Sequence, residues 1–158
     1  MVIMNTRALF AYLKSQRLMS LATFGKQLSA CTVYYAMDRQ FHLYVISEPE
    51  SEHVRNIAMN DQVACTIADS RQHVNAKKIG VQIKGTAHVV SNRERLKAIL
   101  AMWNRTNPGI ASVINLKNIK AKVIDSVVLK ISPLEISFFN EALFGPEGVE
   151  QFHFKKKI

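Results

Sequence analysis

The stretch Leu43-Tyr-Val-Ile-Ser-Glu-Pro-Glu-Ser-Glu-His-Val-Arg-Asn-Ile57 holds a strand, a break and a helix start in one short run. Phe41 to Ile46 is apolar and β-prone, Glu48-Pro49-Glu50 interrupts it, and Ser51 stands where an N-cap opens a short helix through about Met59. Hydroxyls at Ser47 and Ser51 flank the bend, and His53 and Arg55 follow at the head of the helix. Hydroxyl donors, free backbone N–H groups and the positive end of a helix dipole then converge on one point, which suits a phosphate. The plainer reading of the same residues is a strand-turn-helix connection with Ser51 as a cap and His53 on the surface.

Toward the N-terminus, Leu9, Phe10 and Leu13 recur at helical spacing within Thr6 to Gln16, with Asn5 or Thr6 as the cap. Leu18 to Thr23 and Leu28 to Ala36 read as strands around a turn at Phe24-Gly-Lys-Gln27, and Asp38-Arg39 is a second short turn. Connections this short require antiparallel neighbours, because a parallel pair needs a crossover of about a dozen residues or more. The chain therefore opens as a helix followed by a meander.

Toward the C-terminus, Asn60-Asp61 ends the short helix, Gln62 to Ala68 is a fourth strand, and Asp69 to Ala76 is a polar loop. Lys78 to Val90 is a long strand in which Val81 and Ile83 alternate with Gln82 and Lys84 before Gly85, so one of its faces is wet or meets a ligand. Ser91-Asn-Arg-Glu94 is a capping box, and Leu96, Ile99, Leu100 and Trp103 give the helix after it one apolar face. Asn107-Pro108-Gly109 lies past its end, and the stretch to Lys122 allows a short helix. Val123 to Ile131 and Leu134 to Phe139 read as strands split by Ser132-Pro133. The sum is an α+β, mostly antiparallel β chain: six or seven strands with flanking helices, closed toward a barrel that removes sheet edges.

Residues 1–158 fit one domain. Hydrophobic residues at 48% against 21% charged are globular usage, enough for a core without staples. Cys31 and Cys65 lie in apolar, strand-like runs and read as two reduced thiols. No run of about 18 apolar residues is present, so no membrane span is expected. Met1 to Phe10 lacks the layout of a secretory signal, so the protein is expected in the cytoplasm. The net charge of +9 favours anionic partners, but it is spread in small knots at Lys77-Lys78, Lys117 to Lys122 and the tail Lys155-Lys156-Lys157. No aromatic residues alternate with those knots as they do on single-strand stacking platforms, which argues against nucleic acid and leaves small phosphorylated ligands.

Other chemistries drop out. The chain has no P-loop motif and no G-x-G-x-x-G after a strand, and no G-x-S-x-G elbow. His42, His53, His73, His88 and His153 fall at no metal-ligand spacing, so no metal site is expected. Reactive atoms, if there are any, are expected to come from a cofactor, and no side chain is singled out as catalytic.

With these elements in order, the chain resembles the pyridoxamine-phosphate-oxidase-like FMN-binding split barrels over nearly its whole length. The resemblance is to a small branch with a T-E-x-x-[ST]-x-H loop and a [VI]-Q-[FI]-K-G strand, here Ser47-Glu48-Pro49-Glu50-Ser51-Glu52-His53 and Val81-Gln82-Ile83-Lys84-Gly85. It implies a split β-barrel homodimer with FMN at the subunit interface, a small-molecule redox substrate and flavin-dependent oxidoreduction. It places Ile46, Ser47, Ser51 and His53 at the phosphate end and Cys31, Thr32, Val33 and Tyr34 along the ring. Gln82 and Lys84, with Arg55, offer polar and cationic groups to the phosphate, and Trp103 covers a ring from the partner subunit or packs in its own core.

The oxidases proper carry Ser-Arg-Lys where this chain has Ser51-Glu52-His53, so two full cations are replaced and weaker FMN binding is implied. The oxidase reaction itself is not expected, because the C-terminal tryptophan and arginine features of those enzymes find no match in Phe138 to Ile158. Two other classes stay open. Relatives of this superfamily also carry haem or a deazaflavin in the same groove, with His53, His73, His88 or His153 as the available axial ligands for haem. The basic tail alone would suit a nucleic-acid or interaction module, whose binding would fall steeply with salt.

Overall fold

The computed structural model describes residues 2–120 and 125–155, without the side chains of residues 2–4, 93, 94, 116 and 120. The Lys156-Lys157 part of the tail, Lys122, Val123 and the Glu94 arm of the expected capping box lie outside the described residues. Helix α1 (Val2–Ser15) leads into the hairpin β1 (Leu18–Phe24) and β2 (Leu28–Tyr34). The two-residue β3 (Ala36–Met37), β4 (Leu43–Ser47), α2 (Glu52–Met59), β5 (Gln62–Ile67) and β6 (Ile79–Val89) follow. Then come α3 (Arg93–Thr106), α4 (Leu116–Lys120), β7 (Val127–Asn140), α5 (Glu141–Phe144) and β8 (Val149–His153).

All pairings are antiparallel, in one sheet of order β2-β1-β5-β6-β7-β4-β3 with β8 also on β7. This is the half-barrel of a split-barrel fold, with the helices on its flanks. Its main core lies on the inner face. Leu9 and Leu13 of α1 and Val54 and Ile57 of α2 pack there on Met19, Leu21, Leu43, Val45, Ile67, Ile83, Leu129, Ile131, Ile136 and Phe138. A second, smaller core lies on the outer face, where Ile99 and Leu100 of α3 cover Tyr44 of β4 and Val128 of β7. Strand β4 is therefore buried on both sides, which accounts for its unbroken apolar run.

Several sequence expectations need correction. Residues 127–140 form one continuous strand where a split at Ser132-Pro133 was expected. The proline sits instead at a β-bulge, since the register slips between Lys84 and Gly85. Gly85 is what allows the slip, because any Cβ there would meet the Ser132 carbonyl oxygen and Pro133 Cα. Helix α3 begins at Arg93 with Asn92, not Ser91, as its cap: Asn92 Oδ1 accepts the Arg95 N–H at 3.1 Å. The first helix starts before Thr6, so neither Asn5 nor Thr6 caps it. The second strand stops at Tyr34, and Ala36-Met37 changes partner to β4. Strand β8 was missed after the last expected strand, although Phe152 and Phe154 alternate there and both pack on the main core.

Candidate functional site

Strand β4 ends at Ser47 because the next residues turn through Pro49, and α2 starts at Glu52. Ser51 occupies the N-cap position with extended backbone (φ −64°, ψ 147°), but its side chain caps nothing. The tight bend brings the Glu48 carbonyl within reach of both its N–H (3.1 Å) and its hydroxyl (2.7 Å), and both donate there. The first helical bond runs from Arg55 N–H to Ser51 O, so the N–H groups of Glu52, His53 and Val54 precede the helical ladder and face the bend.

His53 closes the cluster. Its Nε2 lies 2.6 Å from Ser47 Oγ and 3.3 Å from Ser51 Oγ, joining the two hydroxyls on either side of the bend. Because Ser51 spends its proton on Glu48 O, its contact with His53 is a bond only where Nε2 carries the hydrogen. Burial pushes the His53 pKa down, against a smaller opposing pull from Glu52, so a neutral ring is favoured near pH 7. With Nε2 carrying its hydrogen, the Ser47 hydroxyl and the three backbone N–H groups are the neutral donors that the cluster can offer a ligand.

Glu52 is turned out of it. Its carboxylate accepts from Ser29 Oγ at 2.7 Å and from Gln27 Nε2 at 3.3 Å, across to the β1–β2 hairpin. Those bonds hold its carboxyl below the usual range. The same hairpin is locked to α2 through Asn56, whose amide donates to Thr23 Oγ1 at 3.2 Å and packs against Gly25, where no side chain would fit. Ser29, Gln27 and Asn56 carried no signal in the sequence, since each meets a partner more than twenty positions away. Arg55 reaches back over the bend to the Glu50 carbonyl and, at 3.8 Å, to its carboxylate.

The other sequence candidates scatter. Cys31, Thr32, Val33 and Tyr34 lie on β2, the sheet's edge strand, beside α2 through the Ser29–Glu52 bond; Thr32 and Tyr34 face out and Cys31 and Val33 are half-buried. Cys31 and Cys65 are free thiols, and burial pushes Cys65 up to about 12. Ile46 points to the other face of β4 and packs under α3. Gln82 and Lys84 stand exposed on β6, where Lys84 Nζ donates to Glu135 Oε1 at 2.9 Å. The pairings Lys84↔Glu135 and Ser47↔Val127 put them eight residues apart along β7, roughly 25 Å, so Lys84 does not reach the loop of its own subunit. Trp103 is 5% exposed, in the interior of its own chain.

A family model described as pyridoxamine 5′-phosphate oxidase matches residues 6–140. No curated protein matches in sequence. Among solved structures, a conserved hypothetical protein of Mycobacterium tuberculosis, Rv2991, is similar with a TM-score of 0.70 and 17% identity; the match covers 96% of this chain and 91% of that one. The haem storage protein HutZ of Vibrio cholerae follows with 0.67 and 13%, covering 80% and 88%. A haem-binding protein of Mycobacterium smegmatis gives 0.66 and 18%, covering 90% of this chain and 55% of that one. At these identities the likeness establishes the split-barrel fold alone.

Proposed function

Because the chain belongs to the pyridoxamine 5′-phosphate oxidase family, we propose that it is a cytoplasmic FMN-binding flavoprotein, an oxidoreductase acting as a homodimer on a small-molecule redox substrate. The observation that carries the reading is the cluster at the head of α2. Ser47, Ser51 and His53 converge within 3.3 Å of one ring nitrogen, beside three N–H groups at a helix start, with Glu52 drawn off to Ser29 and Gln27. That set fits a phosphate by hydrogen bonding, with the helix dipole in place of full cations. The free edge of β2, the last strand in the sheet, has backbone groups for the polar rim of a flat ring, which agrees with placing Cys31 to Tyr34 there.

Bound flavin would supply the hydride and electron chemistry, while this chain positions and shields it. One feature supports a second subunit. Leu18, Phe24, Leu28 and Tyr34 are all exposed on β1 and β2. No described helix is long and apolar enough to cross a membrane.

The test is a visible spectrum of the purified protein followed by FMN titration of the wild type and of Ser47→Ala. Saturable binding that weakens in the variant is expected; no flavin absorbance together with no binding at high micromolar FMN overturns the reading. Haem is the second reading, supported by the two haem-named fold neighbours. Of its four axial candidates, His53 is tied to the serines, and His73, His88 and His153 are exposed. A Soret band on reconstitution, with no FMN binding, selects it.

A further inference from the structure

On the outer face of β4, away from Ser47, a cleft of about 600 Å³ opens between the sheet and the start of α3. The strand pleat separates it from the α2 site: Leu43 and Val45 face the main core, whereas Tyr44 faces the cleft. Its floor is a cross-strand row, Tyr44↔Lys130↔His88, set by the pairing of β4, β7 and β6. Its roof is α3, which contributes the cation Arg95 and the apolar Ile99 and Met102.

The turn before β4 closes one end with a fixed network. Asp38 Oδ2 accepts from His42 Nδ1 at 2.9 Å and from the Tyr44 hydroxyl at 3.0 Å, while Oδ1 accepts the backbone N–H groups of Gln40 and His42. Asp38 is the one carboxylate among the described lining residues, and these bonds fill its acceptor sites. Two cations, Arg95 and Lys130, share the cleft with it.

We infer that this cleft is a binding site for a small organic carboxylate with an apolar body. The anion belongs with Arg95 and Lys130, the two cations of the lining, where a guanidinium fork favours a planar carboxylate. The apolar part lies against Ile99 and Met102. His42, held by Asp38 through Nδ1, also lines the cleft. This site is independent of FMN and of the α2 loop.

The test uses the full-length protein, titrated calorimetrically with benzoate and with its uncharged isostere benzamide. Benzoate is expected to bind at least about tenfold more tightly than benzamide. The variant Arg95→Gln/Lys130→Gln, shown to be folded by thermal unfolding, is expected to lose that difference, and Ser47→Ala to keep it. Equal affinities, no binding of either probe, or benzoate binding unchanged in the double variant overturns the inference. So does loss of benzoate binding in Ser47→Ala with retention in the double variant, which would put the anion at the head of α2. Inorganic phosphate binding as tightly as benzoate would show a bare anion site and also overturn it.

Discussion

The two faces of β4 handle polarity in opposite ways. On the inner face Leu43 and Val45 are fully buried in the main core, and the first hydroxyl, Ser47, appears only where the strand leaves the sheet. On the outer face the polar atom stands mid-strand: Tyr44 is 7% exposed under α3, and its hydroxyl is tied to Asp38. A rim hydroxyl needs only the ring of His53 beside it and can still turn its proton to a ligand, because the helix start adjoining it supplies further donors. A mid-strand hydroxyl needs a resident carboxylate, which in turn needs His42 and two backbone N–H groups.

The largest test of this contrast sets Leu43→Ala against Tyr44→Phe in denaturant unfolding. The first is expected to lose about 2–5 kcal/mol through lost burial and a cavity, the second only about 1 kcal/mol. Comparable losses would mean that the two faces are not built differently. Next is Asp38→Asn, expected to destabilise by about 1–3 kcal/mol as the His42 and Tyr44 donors lose a charged acceptor. Burial pushes the Asp38 pKa up, but the His42 and Tyr44 bonds outweigh it and the net shift is downward. A lowered folded pKa gives stability that is present above the ordinary carboxylate value of 3.8 and is lost as pH falls through the folded value. Acid unfolding profiles of wild type and Asp38→Asn are therefore expected to converge below that pH.

Smaller effects belong to the rim. Ser47→Ala is expected to change stability by less than about 1 kcal/mol and to weaken FMN several-fold. His53 gives the finest test. Burial lowers its folded pKa, so the apo protein loses stability as pH drops through about 6.5 toward the folded value. A phosphate dianion beside the ring favours the imidazolium, so FMN affinity is expected to rise modestly between pH 8 and about 6.5. Titrations of His53→Gln that keep the same slope would remove His53 from the phosphate site.

The order of elements was legible because it rests on local pattern: the alternation at Val81 to Lys84, the apolar face of α3, and short turns that leave only antiparallel pairing. What stayed hidden depends on distant partners. The continuity of β7 through Pro133 follows from a bulge opposite Gly85, a residue nearly fifty positions earlier. The same holds at the site. Ser47, Ser51 and His53 share one bend and were readable together, whereas the turning of Glu52 toward Ser29 depends on where the β1–β2 hairpin lies. The Asp38–His42–Tyr44 network is local in sequence, yet no periodicity marks it, because its members come from a turn and a strand.

Strand β7 also imposes an order in time. Ser47 pairs with Val127 and Leu43 with Ile131, partners 80 and 88 residues later in the chain. As synthesis proceeds, the β1–β2 and β5–β6 hairpins can close soon after they emerge, but β4 has only the two residues of β3 beside it. Both faces of β4, and with them both candidate sites, stay unbuilt until β7 arrives. A nascent chain stopped before Val127 would hold paired hairpins around an open seam, and that seam is where a chaperone or another chain would be met first.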